Sequence, residues 1–345
     1  MKITVLMGGT SAERDVSLSS GLRIAQALRQ SGHEVTSVDP ARGVIDEAEE
    51  EMLRAGGVVK TAPPTLAELQ HISRTSLSPT LGTFPAVRTA DVVVLALHGG
   101  QGEDGTVQAL LDMVGVCYTG SGHLASALAM DKDLSKQLFR AAGVQTANWL
   151  MVTRCRGAIP SEAEVEQALG WPVVVKPSKQ GSTVGLSIVQ EAAQLRGAID
   201  EAAHYDDEIM LEQFVPGREL TVSVLGDQAL PVGEIIPRHA IYDYECKYTP
   251  GMAVEEFPAR LHPDQAARVQ RQALAAFRAL KLDGYARIDF RMTNAGEFFC
   301  LEANTLPGMT PTSLLPQAAA AAGMDFSTLC ERIVQRAVSK RNGGQ

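Results

Sequence analysis

Long apolar runs are missing from this 345-residue chain, and the longest clear one, Val92 to Leu97, has the length of a buried strand. A membrane-spanning helix would need roughly 18 such residues, so a spanning protein is excluded from the reading. A cysteine framework is missing as well. Cys117, Cys155, Cys246, Cys300 and Cys330 are odd in number, widely spaced and without a Cys-x-x-Cys pair, which disfavours a disulfide scaffold or structural zinc and fits a reducing cytosol. Positive charge is in deficit, with 31 Lys+Arg against 40 Asp+Glu and a net charge of −9, so binding to nucleic acid or an anionic membrane is disfavoured. Ile3 to Met7 runs straight into Gly8-Gly9 and reads as a first strand and its turn rather than a signal-peptide core. No internal repeat is visible. What is present is ordinary for a globular chain: 45% hydrophobic and 21% charged residues. The length, at roughly 150 residues per domain, predicts two to three domains.

Periodicity predicts an α/β beginning: a helix from Val16 to Gln30 after the first turn, a strand from His33 to Val38, and a doubly buried strand from Asp91 to Leu97. Residues 41–90 read as an insertion, with an acidic helical piece from Ile45 to Arg54 and then Pro63-Pro64. A helix from Leu124, with Asp131-Lys132 near its middle, leads to Gly143. Strands follow at Trp171 to Lys176, Ser187 to Val189, Glu208 to Phe214 and Glu219 to Leu225, the last two joined by a turn at 215–218. A loop holding Tyr242, Tyr244 and Tyr248 precedes a helix from Pro263 to Leu280, a hairpin from Tyr285 to Ala303 and a terminal helix from Phe326 to Ser339.

The hairpin is the most informative stretch. With Ala295-Gly296 as a two-residue loop, Asp289 lies opposite Glu302. Alternation then puts Arg287, Asp289, Glu302 and Asn304 on one face and Ile288, Phe290, Leu301 and Ala303 on the other. Two carboxylates and an amide oxygen are hard ligands suited to Mg²⁺, and four clustered polar groups over an apolar face favour that over a surface ion pair. Lys176 at a strand end, followed by Gly181-Ser182-Thr183-Val184-Gly185, can fold over phosphates, although taken alone a plain hairpin is the stronger reading. The loop His98 to Gly105, with four glycines, sits where α/β sheets expose ligand loops, so His98 is either a cleft residue or a strand-end histidine bonded to a carbonyl. Glu13 either points into a cleft or caps the first helix.

Together these segments resemble the ATP-grasp superfamily, and within it the D-alanine:D-alanine ligases. The matching stretches, in family order, include Gly8 to Ser17, His98 to Gly105, Tyr118 to Ser121, Met130 to Lys132, Lys176-Pro177, Gly181 to Gly185, Tyr242 to Tyr248, Arg287 to Asp289 and Glu302 to Thr310. The resemblance implies a mixed α/β and α+β, three-domain fold: an amino-terminal parallel α/β substrate domain at 1–120, a central ATP-binding domain at 121–211 and a carboxyl-terminal catalytic domain at 212–345, with ATP gripped between antiparallel sheets. It implies a cytoplasmic, homodimeric enzyme that joins two D-alanine molecules through a D-alanyl phosphate, using ATP as co-substrate and two Mg²⁺ ions, with Mn²⁺ as an alternative. By the same resemblance Lys132 and Lys176 hold the α- and β-phosphates, Glu212, Gln213 and Val215 the adenine, Glu219 the ribose, and Lys247 the γ-phosphate. Asp289, Glu302 and Asn304 ligate the metals. Glu13 takes the first ammonium group in a triad with Ser182 and Tyr248, and His98 lines that pocket. Arg287 and the Gly308 N–H form the oxyanion site, and Ser313 and the Leu314 N–H receive the second carboxylate.

Thr183 stands where the family often has serine, Gln213 where it often has lysine, and residues 41–90 exceed the compact form of the domain. Ligases that make D-alanyl-D-lactate tend to carry a histidine in the closing loop, whereas Tyr244 to Tyr248 has the dipeptide-type pattern. A nucleotide-dependent dehydrogenase is disfavoured because the first turn lacks G-x-G-x-x-G. A relative that had lost catalysis would lack Arg287 or the metal trio, and all four are present.

Overall fold

The computed structural model describes residues 1–56, 79–153, 159–239, 242, 246 and 251–343. Its first sheet follows the order β3-β2-β1-β4, built from β1 (Lys2–Leu6), β2 (Glu34–Asp39), β3 (Gly43–Ile45) and β4 (Val92–Leu95). β1 runs parallel to β2 and to β4, and the wholly apolar, fully buried β4 fits such a sheet, while the short β3 pairs antiparallel. The helix Arg14–Gln30 covers this sheet, and the core beneath it also takes Leu306, Leu315, Leu329 and Ile333 from the far end of the chain. The terminal helix Phe326–Gly343 therefore packs back on the first body.

The second sheet is antiparallel in the order β5-β8-β6-β7: β5 (Trp149–Thr153), β6 (Val173–Pro177), β7 (Ser187–Val189) and β8 (Glu208–Gln213). The helices Glu162–Leu169 and Leu195–Ala202 close its core, and Ser161 starts the first of them with a full capping box. The third sheet runs β12-β11-β9-β13-β14, with β10 (Gln228–Ala229) on β9 (Arg218–Leu225). Its other strands are β11 (Gly233–Pro237), β12 (Ala253–Glu256), β13 (Tyr285–Met292) and β14 (Phe298–Asn304). The helix Pro263–Ala279 covers one face.

Two expectations need correction. The helix expected from Leu124 to Gly143 is two helices, His123–Met130 and Lys132–Ala141, because Asp131 leaves the helical region (φ −81°, ψ 101°) and its carboxylate accepts the Leu134 N–H at 3.0 Å. An aspartate cap is worth about 1 kcal/mol and restarts the helix with Lys132 as its first residue. Phe139 of the second helix, fully buried, inserts into the core of the third sheet rather than the second. The acidic helical piece expected from Ile45 to Arg54 is the helix Glu47–Gly56, with β3 just before it, and the loop expected after Leu225 holds β10 to β12, strands too short and irregular to show a period. Pro63-Pro64, Cys155, Tyr244, Lys247 and Tyr248 lie outside the described residues.

Candidate active site

The β13–β14 pairing sets Asp289 opposite Glu302 and Arg287 opposite Asn304, as alternation predicts, by a route that the sequence does not reveal. Thr293 N–H bonds to the Glu297 carbonyl at 2.9 Å, so the loop has three residues, Asn294 to Gly296, with Gly296 at φ +80°. That would shift the register by one. A bulge between Asp289 and Phe290, with Leu301 as the extra residue on β14, shifts it back. Leu301 consequently lines the ligand cavity beside Glu302 instead of joining the apolar face, which corrects its expected side.

Asp289 is buried, and donors surround its carboxylate. Arg287 approaches it in a fork, with Nε at 2.9 Å from Oδ1 and Nη2 at 2.9 Å from Oδ2. Thr221 Oγ1 on β9 donates at 2.7 Å and Asn304 Nδ2 at 3.0 Å. Burial alone would lower the Arg287 pKa, but Asp289 outweighs it and the guanidinium is held above its ordinary value. Glu302 faces Lys132, whose Nζ lies 3.3 Å from Oε2 and donates to the Gln180 carbonyl at 2.8 Å.

Deeper in the cleft, Glu212 on β8 is only 3% exposed and takes one lysine on each oxygen: Lys136 on Oε1 and Lys176, at 2.6 Å, on Oε2. Burial would raise its pKa, yet the two ammonium groups overcome that and hold it down to about 2. Lys136 itself is fully buried, and that burial pulls its pKa down from the ordinary lysine value. Val215 and Glu219 flank the turn between β8 and β9, where Gly217 (φ +134°) is required because a Cβ there would lie 2.1 Å from the Met292 carbonyl oxygen. Arg291 bridges the two, donating from Nε to the Val215 carbonyl at 3.1 Å and pairing through Nη1 with Glu219 at 3.2 Å. Gln213, at the end of β8, lines the same cleft.

A second cavity adjoins the first and shares Gly181, Ser182, Tyr242 and Arg287 with it. Glu13 sits where the first helix begins but caps nothing with its side chain; its carboxylate accepts the Ser182 hydroxyl proton, so it points into the cleft. Ser182 and Thr183 hold left-handed backbone (φ 52° and 59°), a strain of about 1–3 kcal/mol each that marks the loop tip as constrained. His98 fits both of its expected descriptions. Nδ1 donates to the Leu306 carbonyl at 2.8 Å, which leaves Nε2 as the acceptor from the Ser20 hydroxyl at 3.1 Å, and burial lowers the ring's pKa so that it stays neutral. Glu103 accepts the N–H groups of Gly99, Thr305 and Leu306, each at 3.1 Å, while burial and the nearby Glu13 carboxylate raise its pKa to about 7. Gly308 follows in the strap they hold. A Cβ on Gly308 would meet Ser313 Oγ at 2.6 Å, and Ser313 in turn accepts the Thr310 N–H at 3.0 Å and starts the helix Leu314–Ala321.

Every described residue of the expected site lines one of the two cavities: Lys132, Lys176, Glu212, Gln213, Val215, Glu219, Arg287, Asp289 and Glu302 the first, and Glu13, His98, Ser182, Arg287, Asn304, Gly308, Ser313 and Leu314 the second. Lys136, Arg291 and Glu103 were missed as individual residues. The spacing Lys132-x-x-x-Lys136 on one helix face and the alternation Arg287, Asp289, Arg291 along β13 carried the signal for two of them. Among the described residues no three His, Cys, Asp or Glu side chains converge on a metal position; Asp289 and Glu302 bring two carboxylates to one face of the hairpin, and Asn304, whose Nδ2 turns to Asp289, has an amide oxygen to add to them. That set fits a hard divalent cation.

Comparison with known proteins gives a consistent result. A family model described as D-ala D-ala ligase N-terminus matches residues 2–121, and one described as D-ala D-ala ligase C-terminus matches residues 138–335. A D-alanine–D-alanine ligase of Geotalea uraniireducens is 42% identical over 98% of this chain and 96% of its own, and one of Halalkalibacterium halodurans is 40% identical over 99% and 100%. Among solved structures, a Bacillus anthracis D-alanine–D-alanine ligase complexed with ATP superposes with a TM-score of 0.76 at 31% identity, covering 100% of this chain and 99% of that one. The enzyme of Coxiella burnetii gives 0.81 at 27% identity, over 99% and 95%.

Proposed function

The chain belongs to the D-alanine–D-alanine ligase family, and from that premise we propose how its residues divide the work. It is an ATP-dependent ligase that forms D-alanyl-D-alanine for peptidoglycan synthesis, releasing ADP and phosphate. The observation that carries the assignment of roles is the meeting of two cavities at Arg287 and Ser182, one lined by lysines and paired carboxylates, the other by Glu13 and Ser313.

In this reading adenine lies against Glu212, Gln213 and Val215, the ribose against Glu219, and the α- and β-phosphates against Lys132 and Lys176. Asp289, Glu302 and Asn304 would hold Mg²⁺ or Mn²⁺, two ions in the full site, which when bound neutralise charge on the β- and γ-phosphates. Glu13, oriented by Ser182 and Tyr248, binds the ammonium of the first D-alanine, so that its carboxylate oxygen attacks the γ-phosphorus and ADP leaves. Ser313 and the Leu314 N–H take the carboxylate of the second D-alanine. Its amine attacks the carbonyl carbon of the acyl phosphate, the developing oxyanion rests on Arg287 and the Gly308 N–H, and phosphate departs. Lys247 would add its charge at the γ-phosphate, and water has to be excluded from the site because it would otherwise hydrolyse the acyl phosphate.

The three sheets support a division into an amino-terminal substrate body, a central ATP-binding body and a carboxyl-terminal catalytic body. Free Cys117, Cys246, Cys300 and Cys330, and the need for ATP, support a cytoplasmic location. A homodimer completes the proposal and is checked by sedimentation. The test of function is incubation of purified protein with ATP, Mg²⁺ and D-alanine, with D-lactate or D-serine added in parallel. Phosphate release that requires D-alanine, with the dipeptide as the product by mass, is expected; release without D-alanine dependence would refute the reading.

A further inference from the structure

Lys136 stands among the largest fully buried side chains of the described structure, in a set that is otherwise apolar, and none of the proposed catalytic steps uses it. An isolated ammonium could not stay there, because removing its hydration costs several kcal/mol unless a counter-charge answers it. The counter-charge is Glu212 Oε1. Its second bond goes to Thr146 Oγ1 at 2.6 Å, and Thr146 spends its own proton on the Cys300 carbonyl at 2.7 Å, so the hydroxyl is committed as an acceptor toward the lysine. The Trp149 ring, 5.2 Å away, closes another side. Lys176 differs: it shares Glu212 at 2.6 Å but lines the open cleft, where a phosphate competes for it.

We infer that Lys136 is a positioning residue for nucleobase selectivity, the one cation among the described residues that keeps Glu212 ionised and aimed when Lys176 turns to the phosphates. An ionised carboxylate only accepts hydrogen bonds, so it welcomes the 6-amino group of adenine and repels a 6-oxo group. A Glu212 without Lys136 loses its anchor and can take up a proton, and the protonated acid donates to a 6-oxo base. This rests on the reading that adenine binds at Glu212.

The test compares kcat/KM for ATP and for ITP, whose base differs at the 6-position, at saturating D-alanine. For Lys136→Met the ATP/ITP ratio is expected to fall at least about tenfold, the scale of one hydrogen bond to a charged group. Equal losses with both nucleotides, leaving the ratio within about twofold, would overturn the inference, since general damage cannot distinguish the bases. Thr146→Val keeps the lysine and removes its anchor together with the bond to the Cys300 carbonyl; a smaller fall in the same ratio is expected, and an unmoved ratio in both variants, or in Thr146→Val alone if Lys136→Met fails to fold, overturns the proposal. Glu212→Gln separates the two levels. A ratio that moves in Glu212→Gln but not in Lys136→Met refutes the role of Lys136 alone, whereas a ratio unmoved by Glu212→Gln refutes the adenine assignment itself.

Discussion

Replacing Arg291 with methionine removes a guanidinium that touches no proposed reacting atom yet fixes two groups at the nucleoside end of the cleft. The side chain is 12% exposed and its partner Glu219 is 14% exposed, so the 3.2 Å pair is shielded from water on most sides. The same side chain holds the Val215 carbonyl at 3.1 Å and lies 5.7 Å from the Phe214 ring. A hydrogen bond to a charged group in such a setting contributes about 1.5–3 kcal/mol, and loss of Glu219's alignment to the ribose should therefore raise KM for ATP about 10- to 150-fold. Because neither Glu219 nor Val215 faces the transferred phosphoryl group in this account, kcat at saturating ATP should change by less than about threefold. A coupled ADP-release assay at saturating D-alanine measures both constants, and calorimetric titration of ATP checks the binding term separately. An unchanged KM, or a kcat that falls as far as kcat/KM, would rule out this role for Arg291.

Further expectations follow from the same geometry. Asp289→Asn combined with Glu302→Gln should abolish Mg²⁺-dependent turnover while circular dichroism shows the fold retained; near-normal rates would remove the metal assignment. Gly308→Ala forces a methyl group to 2.6 Å from Ser313 Oγ, so kcat should fall by roughly 10²–10³, the cost of a displaced oxyanion donor, and a wild-type kcat would contradict the oxyanion role. Glu212, held at about 2 against an ordinary 4.5, binds fewer protons folded than unfolded between those values. Its contribution of about 3 kcal/mol is present above pH 4.5 and is lost as pH falls toward 2. Urea melts across that window should show a shallower acid slope for Glu212→Gln, and identical slopes would contradict the shift.

Strong periodicity made the doubly buried strand of the first sheet and the long helices legible, because burial on both faces or along one stripe leaves a pattern in the residues themselves. The metal face of the hairpin was legible for a less secure reason. The loop is one residue longer than a minimal turn and the bulge at Leu301 cancels it, so Asp289 and Glu302 meet through two compensating irregularities. Only Leu301, at the bulge itself, changed sides. The break at Asp131 was hidden because aspartate tolerates a helix interior in a sequence reading, and its role as a cap depends on a backbone angle. Lys136 was hidden for a different reason: lysine usually reads as solvated surface, and a buried lysine is recognisable only once Glu212, from a strand 76 residues away, arrives beside it. Glu103 likewise gains its meaning from the Thr305 and Leu306 N–H groups, a contact across some 200 residues.

In the proposed mechanism a carboxylate oxygen of the first D-alanine, whose ammonium group Glu13 holds in the second cavity, attacks the γ-phosphorus before any amide bond forms. D-alanine labelled with ¹⁸O in both carboxylate oxygens, turned over with ATP and Mg²⁺, tests it directly by mass spectrometry of the released phosphate. One ¹⁸O atom is expected in each phosphate formed with dipeptide; unlabelled phosphate accompanying dipeptide would rule out an acyl phosphate on the path.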